Sequence, residues 1–180
     1  MKFLKIAGIV LAIILVIPFI AALFVPRDYS VVKEVTIERP HQEVYAYTKM
    51  LKNQNNYSKW ALKDPDMHKE YRGTDGEVGF VSFWRSENPD VGSGEQEIIA
   101  IEDGKRIDYA LRFFEPFEAN DKAFMEFEEA TNFSTKVRWG FDGHMAYPMN
   151  AMLLVMDMEK MIGDDFENGL RNLKEILESK

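Results

Sequence analysis

The sequence of 180 residues contains no cysteine and only three histidines. The absence of cysteine excludes disulfide bonds, thiolate catalysis and cysteine-based zinc or iron–sulfur sites, and it leaves the redox compartment open. His41, His68 and His144 are not spaced as ligands on one turn of a helix, so no metal site is predicted. Gly92-Ser93-Gly94 lacks the lysine of a phosphate loop, and no serine lies in a nucleophile elbow. We therefore predict no cofactor and name no catalytic residue.

Basic residues are also in deficit, with 22 lysines and arginines against 30 aspartates and glutamates. Lys2 and Lys5 precede a long apolar run, so the chain after that run carries a formal charge of about −10. Nucleic acid and anionic lipid headgroups both attract positive charge. The composition therefore predicts no nucleic-acid partner.

Charge is absent altogether from residues 6–25, whose sequence is IAGIVLAIILVIPFIAALFV. A helix of this length is ~30 Å long, which matches the hydrocarbon core of a bilayer. The run predicts one transmembrane helix, with the lipid bilayer as the partner of residues 6–25. A cleaved signal peptide would have a shorter apolar region and a small residue where Phe19 and Ile20 stand. A buried core helix would need polar breaks and caps that the run lacks.

The basic residues that flank the run predict its orientation. Lys2 and Lys5 precede it, whereas Arg27 and Lys33 follow it. The positive-inside rule then predicts a single-pass protein with a cytoplasmic N-terminus and an extracytoplasmic domain. The predicted organisation is an anchor over residues 1–26 and one domain of ordinary size over residues 27–180.

Alternation of apolar and polar residues predicts a strand from Tyr29 to Ile37 and six further short strands. These lie at residues 67–71, 80–85, 95–101, 106–114, 123–129 and 135–141. The short turns between them favour antiparallel pairing. After Pro148, apolar residues at helical spacing predict one long helix that ends near Ser179. The predicted fold class is α+β, with a curved antiparallel sheet of about seven strands closed by the C-terminal helix and preceded by the transmembrane helix.

A series of short segments follows in order along this domain. They are residues 35–40 leading to Val44, then Tyr57 and Trp60, and residues 63–67, 79–84, 92–95, 115–117 and 165–174. From about Tyr29 to Glu178 this series resembles the START-like (SRPBCC) superfamily, also labelled polyketide cyclase/dehydrase-like, and in particular its membrane-anchored bacterial members. The resemblance implies a helix-grip fold with a cavity for apolar or amphipathic ligands between the sheet and the long helix. It implies no reaction, because members include lipid carriers, receptors, cyclases and co-chaperone-like domains.

Large apolar side chains on the predicted inner face are the candidate ligand-binding residues. They are Trp84, Tyr109, Leu111, Phe113, Trp139, Phe141, Met152, Met156 and Phe166. Methionine and aromatic side chains adapt to varied apolar shapes, which suits such a cavity. The alternative is that these side chains fill the space themselves. Arg112 and Arg138 alternate out of phase with the aromatic residues and are predicted on the outer surface.

Three functions are compatible with these patterns. The first is a membrane-anchored domain that binds a hydrophobic small molecule or lipid. The second is a protein-interaction module of the cell envelope, co-chaperone-like, which predicts a filled cavity and an exposed apolar patch. The third is a cyclase- or hydratase-type enzyme with an acid–base side chain facing the cavity. Enzymatic activity is thus left open, and no protein partner can be named from the sequence.

Overall fold

The computed structural model describes Lys5 and residues 16–179, and seven strands of this part form one antiparallel sheet. The strands are β1 (Asp28–Ile37), β2 (His68–Arg72), β3 (Val81–Arg85), β4 (Ser93–Glu102), β5 (Arg106–Glu115), β6 (Ala119–Thr131) and β7 (Ser134–His144). Their order across the sheet is β1-β7-β6-β5-β4-β3-β2. All neighbours except β1 and β7 are consecutive in the chain, as expected for strands joined by short turns. The predicted seven-stranded antiparallel sheet is therefore confirmed.

The pairing of β1 with β7 distinguishes the two ends of the sheet. Asp28 pairs with His144 at one end, which we call the proximal end because residues 16–27 adjoin it. Ile37 pairs with Thr135 at the other end, which we call the distal end. The β5–β6 turn is proximal and the β6–β7 turn is distal, because β6 runs antiparallel to both of its neighbours.

Five helical segments after β1 accompany the sheet, and the first and the last of them pack on its face. The five segments are α1 (His41–Lys49), a first 3-10 helix (Leu51–Asn56), α2 (Lys59–Leu62), a second 3-10 helix (Met149–Leu154) and α3 (Met158–Glu178). Pro40 precedes α1 with a φ of −56°, which suits the start of a helix. The prediction of a single helix after Pro148 is wrong for about its first third, where the chain forms the second 3-10 helix and a short connection to α3. The Asp157 side chain accepts a hydrogen bond from the Lys160 backbone N–H at 2.8 Å, and this N-cap starts α3 afresh after the 3-10 helix.

The core lies between the sheet and α3. Leu170, Leu173 and Leu177 of α3 are buried, which confirms the apolar stripe predicted for this helix. Phe166, one turn earlier, stacks on Trp139 of β7 with ring centroids 4.5 Å apart. Gly169 allows this close packing, since a Cβ placed there would lie 2.8 Å from Cζ3 of the same indole.

The opposite face of the sheet carries ion pairs. Arg112 bonds Glu95 at 2.8 Å and also contacts Glu97, and Arg138 lies near Glu126 and Glu128. Both arginines thus lie on the outer surface, as predicted, where such pairs contribute little each to stability.

The chain before β1 is attached to the second 3-10 helix. Residues 16–22 are helical, and the buried side chain of Asn150 donates hydrogen bonds to the carbonyls of Ala22 at 2.7 Å and Val25 at 2.9 Å. The Met145 N–H donates to the Arg27 carbonyl at 2.8 Å. Residues 6–15 of the predicted transmembrane helix lie outside the described residues. Within the described part, no helix is long and apolar enough to span a membrane.

Candidate ligand-binding cavity

A cavity of about 740 Å³ opens between the concave face of the sheet, α2 and the first half of α3. Its size falls within the range of pockets that hold small molecules, about 300–1,000 Å³. Strands β3 to β7 form its wall, and Met158, Met161 and Ile162 of α3 with Pro116 and Phe117 of the β5–β6 turn border its proximal side. The space is therefore open and is not filled by the side chains around it.

Aromatic rings make up much of the apolar wall. Trp84 of β3 packs edge-to-face on Phe113 of β5, with centroids 5.9 Å apart. The strand between them contributes Gly94, where a Cβ would lie 2.7 Å from Cζ2 of Trp84. Because position 94 has no side chain, the indole can lie against the sheet and leave the space in front of it open. At the other side of the wall, Trp139 and Phe166 form the stacked pair described above.

Six of the nine predicted ligand-binding residues line this cavity, and three do not. The six are Trp84, Leu111, Phe113, Trp139, Phe141 and Phe166. Tyr109 faces the same side of β5 but is 1% exposed within the core, farther from the proximal opening. Met152 and Met156 lie before α3 begins, in and after the second 3-10 helix, and are not among the lining residues. Asp157 starts α3 after them, so they do not extend the inner face of that helix.

A row of five side chains, four of them polar, crosses the wall at one level, and sequence reasoning missed its polar members. Ser82 pairs with Gln96, Gln96 with Leu111, and Leu111 with Asp121, so these side chains lie side by side on adjacent strands. Tyr29 of β1 continues the row, and all five residues line the cavity. The alternation of side chains along β4 could have predicted the position of one polar member, Gln96. Glu95 and Glu97 flank Gln96, so the amide between them has to face the apolar side.

Two members of this row have shifted pKa values. Burial raises the pKa of the Asp121 carboxyl, and its hydrogen bond from the His144 backbone N–H, at 3.0 Å, opposes this rise in part. Burial, with a smaller contribution from the Asp121 charge, raises the pKa of Tyr29 to about 12. At neutral pH the Tyr29 phenol is therefore protonated, so it can donate a hydrogen bond but cannot act as a base.

Two other polar groups of the wall have no partner among residues 16–179. The Gln96 side chain is 9% exposed, and its amide makes no hydrogen bond to another described residue. The Trp84 indole N–H likewise lacks an acceptor. Buried polar groups are nearly always hydrogen-bonded, because leaving one unpaired costs about 1–3 kcal/mol. The indole N–H is enclosed by the protein, whereas the Gln96 amide borders the cavity and is available to the polar atoms of a bound molecule.

The family assignment follows from the sequence as well as from this geometry. The profile of the family described as "Polyketide cyclase / dehydrase and lipid transport" matches residues 28–178. The chain belongs to this family. The match covers the whole sheet and α3, so the resemblance of this domain to the START-like (SRPBCC) superfamily is confirmed. No curated protein matches the chain.

Solved structures share the fold at low sequence identity. Ara h 8.0201 is 14% identical with a TM-score of 0.58, over 85% of this chain and 99% of that one. A protein of Thermobifida fusca is 19% identical with a TM-score of 0.55, over 82% and 92%. A protein of Chromobacterium violaceum is 10% identical with a TM-score of 0.58, over 83% and 96%. At these identities the likeness establishes the fold alone.

In this member of the polyketide cyclase/dehydrase and lipid transport family, charged residues at the cavity's edge are mutually paired. Lys59 of α2 bonds Asp165 of α3 at 2.6 Å, and Lys63 lies 3.5 Å from the same carboxylate. Lys69 donates to the Pro65 carbonyl at 3.1 Å. Among residues 16–179, no three histidine or carboxylate side chains come together as ligands for a metal ion. The site thus combines an apolar wall, one polar row and an edge whose lysines already have partners in the protein.

Proposed function

We propose that this protein binds an uncharged, amphipathic small molecule or lipid in the cavity between its sheet and α3. One observation carries the proposal: a cavity of about 740 Å³ whose wall is mainly aromatic and aliphatic, with a short polar row across it. Apolar walls supply affinity, and a few placed polar groups fix orientation. The family description, which includes lipid transport, supports this class of ligand.

The charges around the cavity favour a ligand without negative charge. The lining side chains include three lysines, at positions 59, 63 and 69, and five carboxylates, at positions 90, 115, 121, 164 and 165. Each lysine already has a partner in the protein. An anionic headgroup would have to displace these partners and would lie in a net negative field, which is unfavourable. A ligand hydroxyl can donate to the Asp121 carboxylate, and a hydroxyl or carbonyl oxygen can accept from the Gln96 amide, without such a penalty.

We also propose that residues 6–25 anchor the domain in a membrane. The support is the uncharged run itself, long enough as a helix to span a bilayer. Only Pro26 and Arg27 separate this run from β1, so the domain would lie against the bilayer surface. The distribution of Lys2, Lys5 and Arg27 favours a cytoplasmic N-terminus and an extracytoplasmic domain. A reporter fused after Lys180 tests this topology, and activity on the cytoplasmic side would overturn it.

The decisive test of ligand binding is native mass spectrometry of the full chain, purified in detergent from its own host. We expect a stoichiometric apolar molecule that is lost in Leu111→Trp, because the larger side chain would occupy the cavity. Phe114→Trp is the matched control, since Phe114 is exposed, lies on the same strand and is absent from the cavity lining. A wild-type protein without a bound molecule, and without uptake from a total lipid extract, would refute binding.

An acid–base enzyme is the second candidate, because the Asp121 carboxyl faces the cavity. The same experiment separates the two functions through Asp121→Asn. A binding protein retains the same molecule in wild type and variant. An enzyme that uses this carboxyl accumulates unconverted substrate in the variant, and the mass of the bound molecule then differs between the two proteins.

A further inference from the structure

A second uncharged segment lies outside the N-terminal run. Residues 145–156, MAYPMNAMLLVM, contain no charged side chain between His144 and Asp157. They form the second 3-10 helix and its flanks, and their apolar side chains are largely outside the core. Leu154 is 62% exposed and Val155 is 84% exposed. A contiguous exposed apolar surface of this kind is typical of a protein or membrane contact.

This segment is fixed to the end of the N-terminal uncharged run. Asn150, which is fully buried, donates to the carbonyls of Ala22 and Val25 through one amide nitrogen. These carbonyls lie at the end of a helical segment, where backbone acceptors lack intrahelical partners. The uncharged 3-10 helix is therefore held beside the last turn of the predicted anchor, and its level relative to the anchor is set by these two hydrogen bonds.

Other exposed apolar side chains lie at the same end of the molecule. Phe117 of the proximal β5–β6 turn is 74% exposed, and Met161 of the first turns of α3 is also exposed. Both line the cavity. The distal end offers a contrast in Phe133 of the β6–β7 turn, 75% exposed and separated from the proximal end by the length of β7, roughly 35 Å.

We propose that residues 145–156, together with Phe117, form a second membrane contact that inserts into the interface of the bilayer holding residues 6–25. We call these residues the proximal apolar surface. The inference rests on the proposed anchor. A bilayer is the occupant that the structure favours, because the surface is uncharged, is continuous with the uncharged run through Asn150, and carries a tyrosine, Tyr147, suited to the membrane interface.

This second membrane contact would place the border of the cavity next to the bilayer. Phe117 and Met161 belong to the border of the cavity and lie at the end of the molecule that faces the bilayer. An apolar ligand would then pass between membrane and cavity without crossing water. An acidic domain with formal charge of about −10 gains no electrostatic attraction to anionic lipids. The domain is thus expected to contact the membrane by inserting apolar side chains.

Depth-dependent fluorescence quenching tests the inference, and the absence of native cysteine makes single labels simple to place. Leu154→Cys and Val155→Cys are labelled with an environment-sensitive fluorophore in the full chain and reconstituted in phosphatidylcholine vesicles. Spin-labelled phosphatidylcholine serves as the quencher. We expect blue-shifted emission and at least twofold quenching at both positions, and neither effect at Phe133→Cys, the distal control of similar exposure.

A label at Phe19→Cys separates the two proposals. Quenching at position 19 without quenching at positions 154 and 155 would overturn the second membrane contact and leave the anchor intact. No quenching at position 19 would refute the anchor itself. Blue-shifted emission at 154 and 155 without lipid quenching would mean that protein, either a partner or a second copy, covers this surface, and would also overturn the inference.

Discussion

Gly169 of α3 packs against Trp139 of the cavity wall, and replacing it with alanine tests how tightly this contact is packed. The added Cβ would lie 2.8 Å from Cζ3 of Trp139. The indole cannot easily yield, because it stacks on Phe166 at 4.5 Å and meets the edge of Tyr57 at 5.8 Å. Gly169→Ala therefore forces a shift of α3 or of the aromatic stack.

Gly163 of the same helix is the matched control. A Cβ at this position would meet Cε of Lys33 at 2.6 Å and its Nζ at 3.3 Å. The end of a lysine side chain can move at little cost, whereas a packed indole cannot. Both substitutions gain the same helix propensity, about 1 kcal/mol for glycine to alanine. Any difference between the two variants thus reports the difference in packing.

The expected magnitudes follow from these two environments. Gly163→Ala should raise the free energy of unfolding by about 0.5–1 kcal/mol, because propensity dominates. Gly169→Ala should lower the free energy of unfolding by up to about 2 kcal/mol. Overpacking costs about 1–3 kcal/mol, and the higher helix propensity of alanine offsets about 1 kcal/mol of that cost. The two variants should then differ by about 1–3 kcal/mol. At an m-value of about 2 kcal/mol per molar urea, their midpoints should differ by about 0.5–1.5 M.

Urea unfolding of the full chain in nonionic detergent, followed by tryptophan fluorescence, measures this difference. Equal midpoints, or a Gly169→Ala protein more stable than Gly163→Ala, would refute the packing argument. Trp139→Phe provides a further check, since it removes the ring that carries Cζ3. In that background Gly169→Ala should lose most of its penalty, and a double-mutant cycle should show coupling between the two positions.

Three further substitutions, in the cavity and the core, have expected results. Gln96→Leu should leave the free energy of unfolding within about 1 kcal/mol of the wild-type value, because the Gln96 amide makes no hydrogen bond to another described residue and borders the open cavity. The same variant should weaken retention of the co-purified molecule in native mass spectrometry. The stability of Asp121→Asn relative to the wild type should rise as pH rises from about 4, since the Asp121 carboxyl has a raised pKa in the fold and its ionisation disfavours the folded wild type. Urea midpoints of both proteins between pH 4 and 7 measure this, and parallel profiles would contradict it. Leu173→Ala should lower the free energy of unfolding by about 2–5 kcal/mol, because this side chain of α3 is fully buried in the core. A loss below 1 kcal/mol in urea unfolding would indicate that the core relaxes around the site.

The strands and the inner face of α3 were predictable because each depends on local periodicity. Tyr109, Leu111 and Phe113 alternate along β5, and the structure confirms that they share a face. Periodicity does not show which side chains on that face reach the open cavity and which are covered by the core. Leu111 and Phe113 reach the open part of the cavity, whereas Tyr109 is covered by the core, because helices overlie the sheet unevenly. Hydropathy also missed Gln96 and Asp121, since a search for apolar side chains passes over the polar groups of an apolar wall.

The sequence by itself determined the strand order along the chain, the apolar stripe of α3, the family and the two uncharged runs, because these are properties of neighbouring residues. Only the tertiary structure decided that Ser82, Gln96 and Asp121 lie at one level across the adjacent strands β3 to β6, since strand register sets which side chains meet. It also decided that Asn150 holds the end of one uncharged run beside the other, across more than 120 residues of chain. Contacts between distant segments depend on how the whole sheet folds, and no local pattern records them.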